Sequence, residues 1–124
     1  MLYLDTNVIL RYLLEDCEKF IEQSKVYIEN HDVYIKNEVL AEVVYVLNKT
    51  YKVLKKTVRL ILQELLLNDN IQVDSKDVSN LAFEIFEVKN IDFVDALLCS
   101  YSKILRYEVV SFDKKLNKCM DITK

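Results

Sequence analysis

The stretch LYLDTNVIL, Leu2 to Leu10, predicts the order strand, carboxylate, helix at the start of the chain. Residues 2–4 are apolar or aromatic and are typical of a short buried strand, and Thr6 is a good N-cap for the apolar helical run that follows. Asp5 then lies at the carboxyl end of a strand, which is the edge where open α/β sheets bind ligands. Asp5 is either a functional carboxylate or a turn residue, and this stretch alone favours neither.

Length and composition indicate one domain over residues 1–124, because 52% hydrophobic residues suffice for one compact core. The chain has 17 basic and 20 acidic residues and a net charge of -3, so a polyanion would have to be held by local patches or bound cations. No secretory signal is recognised, and no apolar stretch approaches the roughly 20 residues of a membrane span. These features predict a cytoplasmic protein without membrane association.

The three cysteines, Cys17, Cys99 and Cys119, are an odd number without CxxC spacing. This pattern argues against a disulfide framework and against a zinc site, and it fits a reducing compartment. The chain contains no glycine and no proline. Left-handed positions at helix ends are therefore expected on asparagines, namely Asn30, Asn48, Asn68 and Asn90.

Beyond the first helix, short apolar runs alternate with segments of helical periodicity. Helices are predicted from Glu15 to Asn30, from an Asn37 N-cap through Tyr51, over residues 55–67, from Asp74-Ser75 to Lys89, and after an Asp92 N-cap. Strands are predicted at Val33–Ile35, Ile71–Val73 and Val109–Val110, with a further edge strand over Cys119–Thr123. This alternation predicts an α/β fold with a mostly parallel central sheet covered by helices on both faces, which is a three-layer α/β/α sandwich.

Glu42 lies on the third helix, which is apolar almost all round. One interpretation is a narrow solvated stripe that runs along Glu38, Glu42, Tyr45 and Lys49. The other is that Glu42 is held at the wall of a cleft by a partner that offsets the desolvation of its charge. The spacing favours neither interpretation.

Two later acids are in similar settings. Asp95 is explained structurally as the third helical residue after the Asp92 N-cap, yet it lies between apolar neighbours as Glu42 does. Asp113 follows Val109-Val110 and Ser111, which repeats the opening pattern of apolar strand, small polar residue and carboxylate.

If the sheet is open and doubly wound, Asp5 and Asp113 both reach its carboxyl edge, and helices bring Glu42 and Asp95 to the same cleft. Four carboxylates in one pocket repel each other unless cations neutralise them. Oxygen ligands without His or Cys indicate Mg²⁺ or Mn²⁺ rather than zinc. Such a site predicts metal-assisted hydrolysis of phosphodiester bonds.

A run of basic residues without an intervening acid extends from residue 49 to residue 59. Its members are Lys49, Lys52, Lys55, Lys56 and Arg59. A solvated face is the ordinary interpretation of such a run. The alternative is a local phosphate-binding patch on an otherwise acidic protein.

Four segments in order make the chain resemble the PIN-domain family, and within it the VapC-type ribonuclease toxins of prokaryotic toxin–antitoxin pairs. The segments are LDTNVILRYL, EVLAEVVYVL, NIDFVDALL and VVSFDKKL. By position, the resemblance implies an acidic quartet of catalytic and metal-binding residues, with two polar residues that support it: Asp5, Glu42, Asp95 and Asp113, with Asn7 and Ser111. It further implies a Mg²⁺- or Mn²⁺-dependent endoribonuclease, a homodimer, and inhibition by a small antitoxin. The chain departs from the family by having Arg106-Tyr107 where relatives commonly turn through glycine.

Two alternative functions stay open at this point. An inactive PIN-like interaction module would keep the fold and a partner surface without needing all four acids, and their joint presence argues against it. A receiver- or phosphatase-type domain would use Asp5 as nucleophile or phosphate acceptor. The sequence lacks a second Asp two residues after Asp5 and a Lys at the end of a late strand, so this alternative ranks last.

Overall fold

A computed structural model of the chain describes residues 1–15 and 18–121. In chain order its elements are β1 (Leu2–Tyr3), α1 (Thr6–Leu14), α2 (Glu18–Asn30), β2 (Val33–Ile35), α3 (Asn37–Tyr45), a π-helical segment (Val46–Thr50), α4 (Lys55–Leu65), β3 (Ile71–Val73), α5 (Lys76–Val88), α6 (Phe93–Leu105) and α7 (Lys114–Cys119). Within the described ranges the longest helices have 13 residues, which is about 20 Å of helix. None of the helices in these ranges is long and apolar enough to cross a membrane.

The chain forms two compact units, an N-terminal unit of Met1–Asp74 and a C-terminal unit of Ser75–Lys124. The N-terminal unit contains the strands and α1 to α4, and the C-terminal unit contains α5 to α7. A single domain over the whole chain stays a prediction.

The sheet of the N-terminal unit is parallel, and its strand order β1-β2-β3 follows the chain. Leu2 is opposite Val33, and Ile35 is opposite Val73. Val33 and Ile35 of the central strand are buried, whereas Tyr34 on the opposite face is half-buried, as expected where successive side chains point to opposite faces. The predicted α/β fold class with a parallel sheet is confirmed.

The helices after β1 and β2 begin one residue earlier than the predicted N-caps imply. Asp5, not Thr6, caps α1, and Lys36, not Asn37, precedes α3. Asp5 and Lys36 still have extended backbone, with ψ of 157° and 155°. The strand conformation therefore persists to these residues, and Thr6 and Asn37 are already helical.

Charged residues, not asparagines, occupy the left-handed backbone positions. The residues with positive φ in the described part of the chain are Glu15, Lys52, Arg106 and Asp121. The expectation for Asn30, Asn48, Asn68 and Asn90 is therefore wrong. Because this conformation costs roughly 1–2 kcal/mol for a residue with a Cβ atom, the chain carries local strain that glycine would relieve.

The third helix was predicted to continue through Tyr51, but α3 ends at Tyr45 and a π-helical segment follows. The wider turn is closed by the Tyr51 N–H, which donates to the Val46 carbonyl at 3.0 Å. The Asn48 amide donates to the Val53 carbonyl at 2.9 Å and fixes the chain that leaves the segment. Single π-helical turns are frequent at functional sites, and this one joins the helix of Glu42 to the basic run.

Aromatic rings organise the core of the C-terminal unit. Phe93 of α6 stacks on Phe83 of α5 at 5.3 Å between ring centroids and meets Phe86 edge-on at 6.1 Å. The predicted start of α5 at Asp74-Ser75 and the predicted N-cap of α6 at Asp92 are confirmed. Ser75 and Asp92 each accept a hydrogen bond from a backbone N–H three residues further along the chain.

A disulfide joins Cys99 of α6 to Cys119, the last residue of α7. The expectation from the cysteine pattern is therefore wrong for this pair, because packing of α7 against α6 brings together two residues that are 20 positions apart. Cys17 lies outside the described residues. Cys119 was also predicted to begin an edge strand, but it is helical, and residues 122–123 of that prediction lie outside the described residues as well.

The predicted strand at Val109-Val110 is wrong. Residues 106–113 contain no strand, and the Val110 side chain is 85% exposed. The chain instead folds back on α6, where the Tyr107 ring stacks on Tyr101 at 5.5 Å and the Tyr107 N–H donates to the Tyr101 carbonyl at 3.5 Å. Two apolar residues suggest a strand only when a neighbouring strand is present to pair with them.

Candidate functional site

Asp5 lies between β1 and α1, at the carboxyl end of the strand. Its Oδ1 accepts a hydrogen bond from the Thr6 N–H at 2.7 Å, and the side chain is exposed. Asn7 follows in the first turn of α1 and is exposed too. The structure thus gives Asp5 a capping role and also leaves its carboxylate accessible to a ligand.

Glu42 lies on an exposed stripe of the N-terminal unit. The stripe contains the residues of the solvated interpretation: Glu38, Glu42, Tyr45 and Lys49. The desolvation of Glu42 that the cleft interpretation required is not observed. The role of Glu42 as a metal ligand stays a prediction, and it does not rest on burial.

The surroundings of Asp95 disfavour its charged form. It lies in the first turn of α6, partly buried, and its backbone N–H donates to Asp92 Oδ1 at 2.9 Å. Burial raises the pKa of Asp95, and the negative charges of Asp92 and Asp113 raise it further. Three carboxyl groups of the C-terminal unit therefore interact, and repulsion among them disfavours the charged form of Asp95.

Asp113 is fixed by a network at the start of α7. Its Oδ1 accepts from the Leu116 N–H at 2.9 Å, and its own N–H donates to Ser111 Oγ at 2.9 Å. The Asn117 amide donates to the Ser111 carbonyl at 2.9 Å. Ser111 therefore positions Asp113 through hydrogen bonds, as a supporting residue does.

The sequence analysis missed Asn117 and the electrostatic effect of Asp92. Asn117 is 7% exposed, and its Oδ1 has no hydrogen-bond partner among the described residues. The available signal for Asn117 was its position between Leu116 and Cys119, which are apolar residues of the same short helix. A polar side chain in such a position is usually buried with a hydrogen-bond partner. Asp92 had been interpreted only as an N-cap.

Asp95 and Asp113 carry the kind of oxygen atoms that a hard divalent cation takes as ligands. Carboxylate and amide oxygens are the ligands that such ions prefer, and a cation would relieve the repulsion between Asp95 and Asp113. No group of three or more His, Cys, Asp and Glu side chains that could hold a metal ion is formed among residues 1–15 and 18–121. Because Asp5 and Glu42 belong to the N-terminal unit, the cluster of four stays a prediction.

The basic run concentrates positive charge in the N-terminal unit. Burial lowers the pKa of Lys55, and the charge of nearby Lys49 lowers it further. Lys52 and Lys56 are exposed, and the Arg59 guanidinium donates to Gln63 Oε1 at 3.1 Å. The choice between a solvated face and a phosphate-binding patch stays a prediction.

Comparison with known proteins agrees with this architecture. The sequence model of the PIN domain matches residues 2–119, and the chain therefore belongs to the PIN-domain family. PIN domains are typically nucleases and generally use divalent metal ions. Neither the curated proteins nor the solved structures gave a significant match to the chain.

Proposed function

We propose that this protein is a divalent-metal-dependent endoribonuclease that uses Mg²⁺ or Mn²⁺. The observation that carries the proposal is the PIN-domain match over residues 2–119. The resemblance of the four sequence segments to the family supports the assignment of the four acids by position. The raised pKa of Asp95 beside Asp113 supports it, because perturbed carboxyl groups cluster at catalytic and metal sites.

In this proposal Asp5, Glu42, Asp95 and Asp113 hold the metal. A bound ion would supply an activated water and polarise the phosphoryl oxygen of the substrate. Asp5, at the end of β1, would hold the ion with its carboxylate, one oxygen of which accepts a hydrogen bond from the Thr6 N–H. Ser111 and Asn117 would keep Asp113 in place through their hydrogen bonds. Asn7 would support Asp5 from the first turn of α1.

The basic residues hold the RNA rather than take part in its hydrolysis. Lys52, Lys55, Lys56 and Arg59 would contact phosphates along the strand, and their succession without an intervening acid supports this role. With an overall charge of -3, such a patch would act together with the bound cations to hold a polyanion.

The biological role that we propose is the toxin of a VapBC-type pair, acting in the cytoplasm as a homodimer and inhibited by a small antitoxin. The four family segments support this role through their resemblance to VapC-type toxins. An antitoxin-sized reading frame beside the gene would support it. Expression of the protein alone should arrest growth, and coexpression of that neighbour should restore it. Arrest that the neighbour does not relieve would contradict the pairing.

Cleavage of RNA is the direct test of the enzymatic proposal. Purified protein freed of bound partners is incubated with single-stranded and structured RNA in Mg²⁺, in Mn²⁺, and in chelator. Internal cuts that require the metal are expected. If the wild-type protein cuts no RNA with either ion, the chain is an inactive PIN-like interaction module instead.

A further inference from the structure

A cavity of about 320 Å³ lies between α1 and α2 of the N-terminal unit. This size is at the lower end of the range for small-molecule sites. Residues from both helices line it, among them Asn7, Arg11, Phe20, Gln23, Ser24 and Tyr27. The residues from α2 recur at intervals of three and four, so they form one stripe along that helix.

The side chains that line the cavity match the chemistry of a nucleotide. Phe20 and Tyr27 are 43% and 47% exposed, so their rings offer solvent-accessible surfaces on which an unpaired base stacks. The Gln23 amide has both donors and acceptors for a base edge. The guanidinium of Arg11 forms strong paired hydrogen bonds with phosphate.

The cavity also adjoins the proposed catalytic edge through α1. Asn7 lines it and lies two residues after Asp5, at the start of the same helix. Arg11 lies one helical turn beyond Asn7, about 6 Å along the axis. A strand whose phosphate lies near Asp5 would therefore bring a neighbouring nucleotide to this cavity.

We propose that this cavity is a nucleotide subsite that holds one unpaired base of single-stranded RNA next to the cleaved bond. The base lies against Phe20 and Tyr27, and Arg11 holds its phosphate. This inference rests on the proposed ribonuclease function and adds a preference for unpaired RNA. An apolar peptide segment is the less suitable occupant, because it would remove the Gln23 amide from water without offering it hydrogen-bond partners.

The test replaces the rings and measures binding separately from cleavage. Fluorescently labelled single-stranded RNA and a duplex of the same sequence are titrated with protein in chelator, where no metal-dependent cleavage occurs. Phe20→Leu and Tyr27→Leu should each raise the Kd for the single strand about 5- to 150-fold, the equivalent of about 1–3 kcal/mol per stacked base. The Kd for the duplex should stay the same.

Conservative variants separate stacking from damage to the fold. Phe20→Tyr and Tyr27→Phe keep a ring and should restore the wild-type Kd. Tyr107→Leu removes an exposed ring that does not line the cavity and should leave the Kd unchanged. Melting temperatures are measured for every variant, and a Kd that rises only in variants with a lower melting temperature contradicts the proposal.

Failure of the subsite and failure of the nuclease proposal give different results. If wild-type protein cuts RNA and both Leu variants bind the single strand as it does, the subsite is refuted while the enzyme stands. If the variants lose affinity for a coexpressed antitoxin but not for RNA, the cavity is a peptide site and the inference is wrong. If wild-type protein binds RNA through the rings without cutting it, the subsite stands and the nuclease proposal fails.

Discussion

Replacement of Asp5 separates the two roles that this residue has at the start of α1. Its carboxylate caps the helix through Thr6 N–H, and it is proposed to hold the metal. Asn and Asp are equally good N-caps, whereas Ala costs about 1 kcal/mol and at most about 2. Loss of the charge near the helix N-terminus costs a further 0.3–1 kcal/mol or so.

Without metal, the free energy of unfolding of Asp5→Asn should therefore lie within about 1 kcal/mol of the wild-type value, because the variant keeps the capping hydrogen bond. Asp5→Ala should be less stable by about 1–2 kcal/mol. Both should lose several orders of magnitude in RNA cleavage, since neither has the charge that holds the cation. Urea denaturation in chelator gives the stability, and single-turnover cleavage in Mg²⁺ or Mn²⁺ gives the activity.

Asp77→Asn is the matched control, because Asp77 is also an exposed acid in the first turn of a helix but is outside the predicted site. It should keep both stability and activity. The reasoning is refuted if Asp5→Asn cuts RNA as well as the wild type does. In that case activity would require only the N-cap hydrogen bond, which Asn also makes, and Asp5 would be a structural residue.

Four further outcomes are expected. Mg²⁺ or Mn²⁺ at 100 times its Kd should stabilise the fold by about 2.7 kcal/mol, and a melting temperature that rises no more than in NaCl of equal ionic strength would exclude the site. The pKa of Asp95 is raised in the folded state, so its protonated form stabilises the fold. This stabilisation is complete below the unfolded pKa of about 3.9 and is lost as the pH rises through the folded pKa. In Asp95→Asn, the free energy of unfolding measured without metal should no longer fall over this pH range. A pH profile of stability that is the same as in the wild type would contradict the repulsion. Neutral replacements of Lys52, Lys55, Lys56 and Arg59 should weaken RNA binding and flatten its salt dependence while turnover of bound RNA stays similar, whereas an unchanged salt slope would indicate a solvated face. Arg106→Gly should stabilise the protein by about 0.5–1 kcal/mol, because it relieves the left-handed position at the end of α6 at some cost in unfolded-state entropy, and a loss of stability in urea would contradict this.

Local sequence signals predicted most of the elements. The short apolar runs at residues 33–35 and 71–73 form strands where expected, and their separation by helices was enough to predict a parallel sheet. Ser75 and Asp92 were recognised as caps because the hydrogen bond that each makes stays within three residues. Signals of this range depend little on the rest of the fold.

The features that were missed depend on distant contacts. Val109-Val110 has the composition of a strand, but Tyr107 packs on Tyr101 and turns the chain back towards α6. The Cys99–Cys119 disulfide depends on how α7 packs, which the spacing of the cysteines does not encode. In the site, the sequence placed Asp95 and Asp113 in suitable settings, while their mutual repulsion became evident only in the structure.

The strand order of the sheet has a consequence for synthesis on the ribosome. Because β1, β2 and β3 are neighbours in the order in which they are translated, β2 emerges after β1 and β3 emerges after β2. Leu2–Tyr3 can therefore dock onto Val33–Ile35 before Ile71–Val73 has been made, and the pairing of these three strands needs no segment from the C-terminal unit. Domains fold from the N-terminus as they are synthesised, and the N-terminal unit is therefore suited to cotranslational assembly.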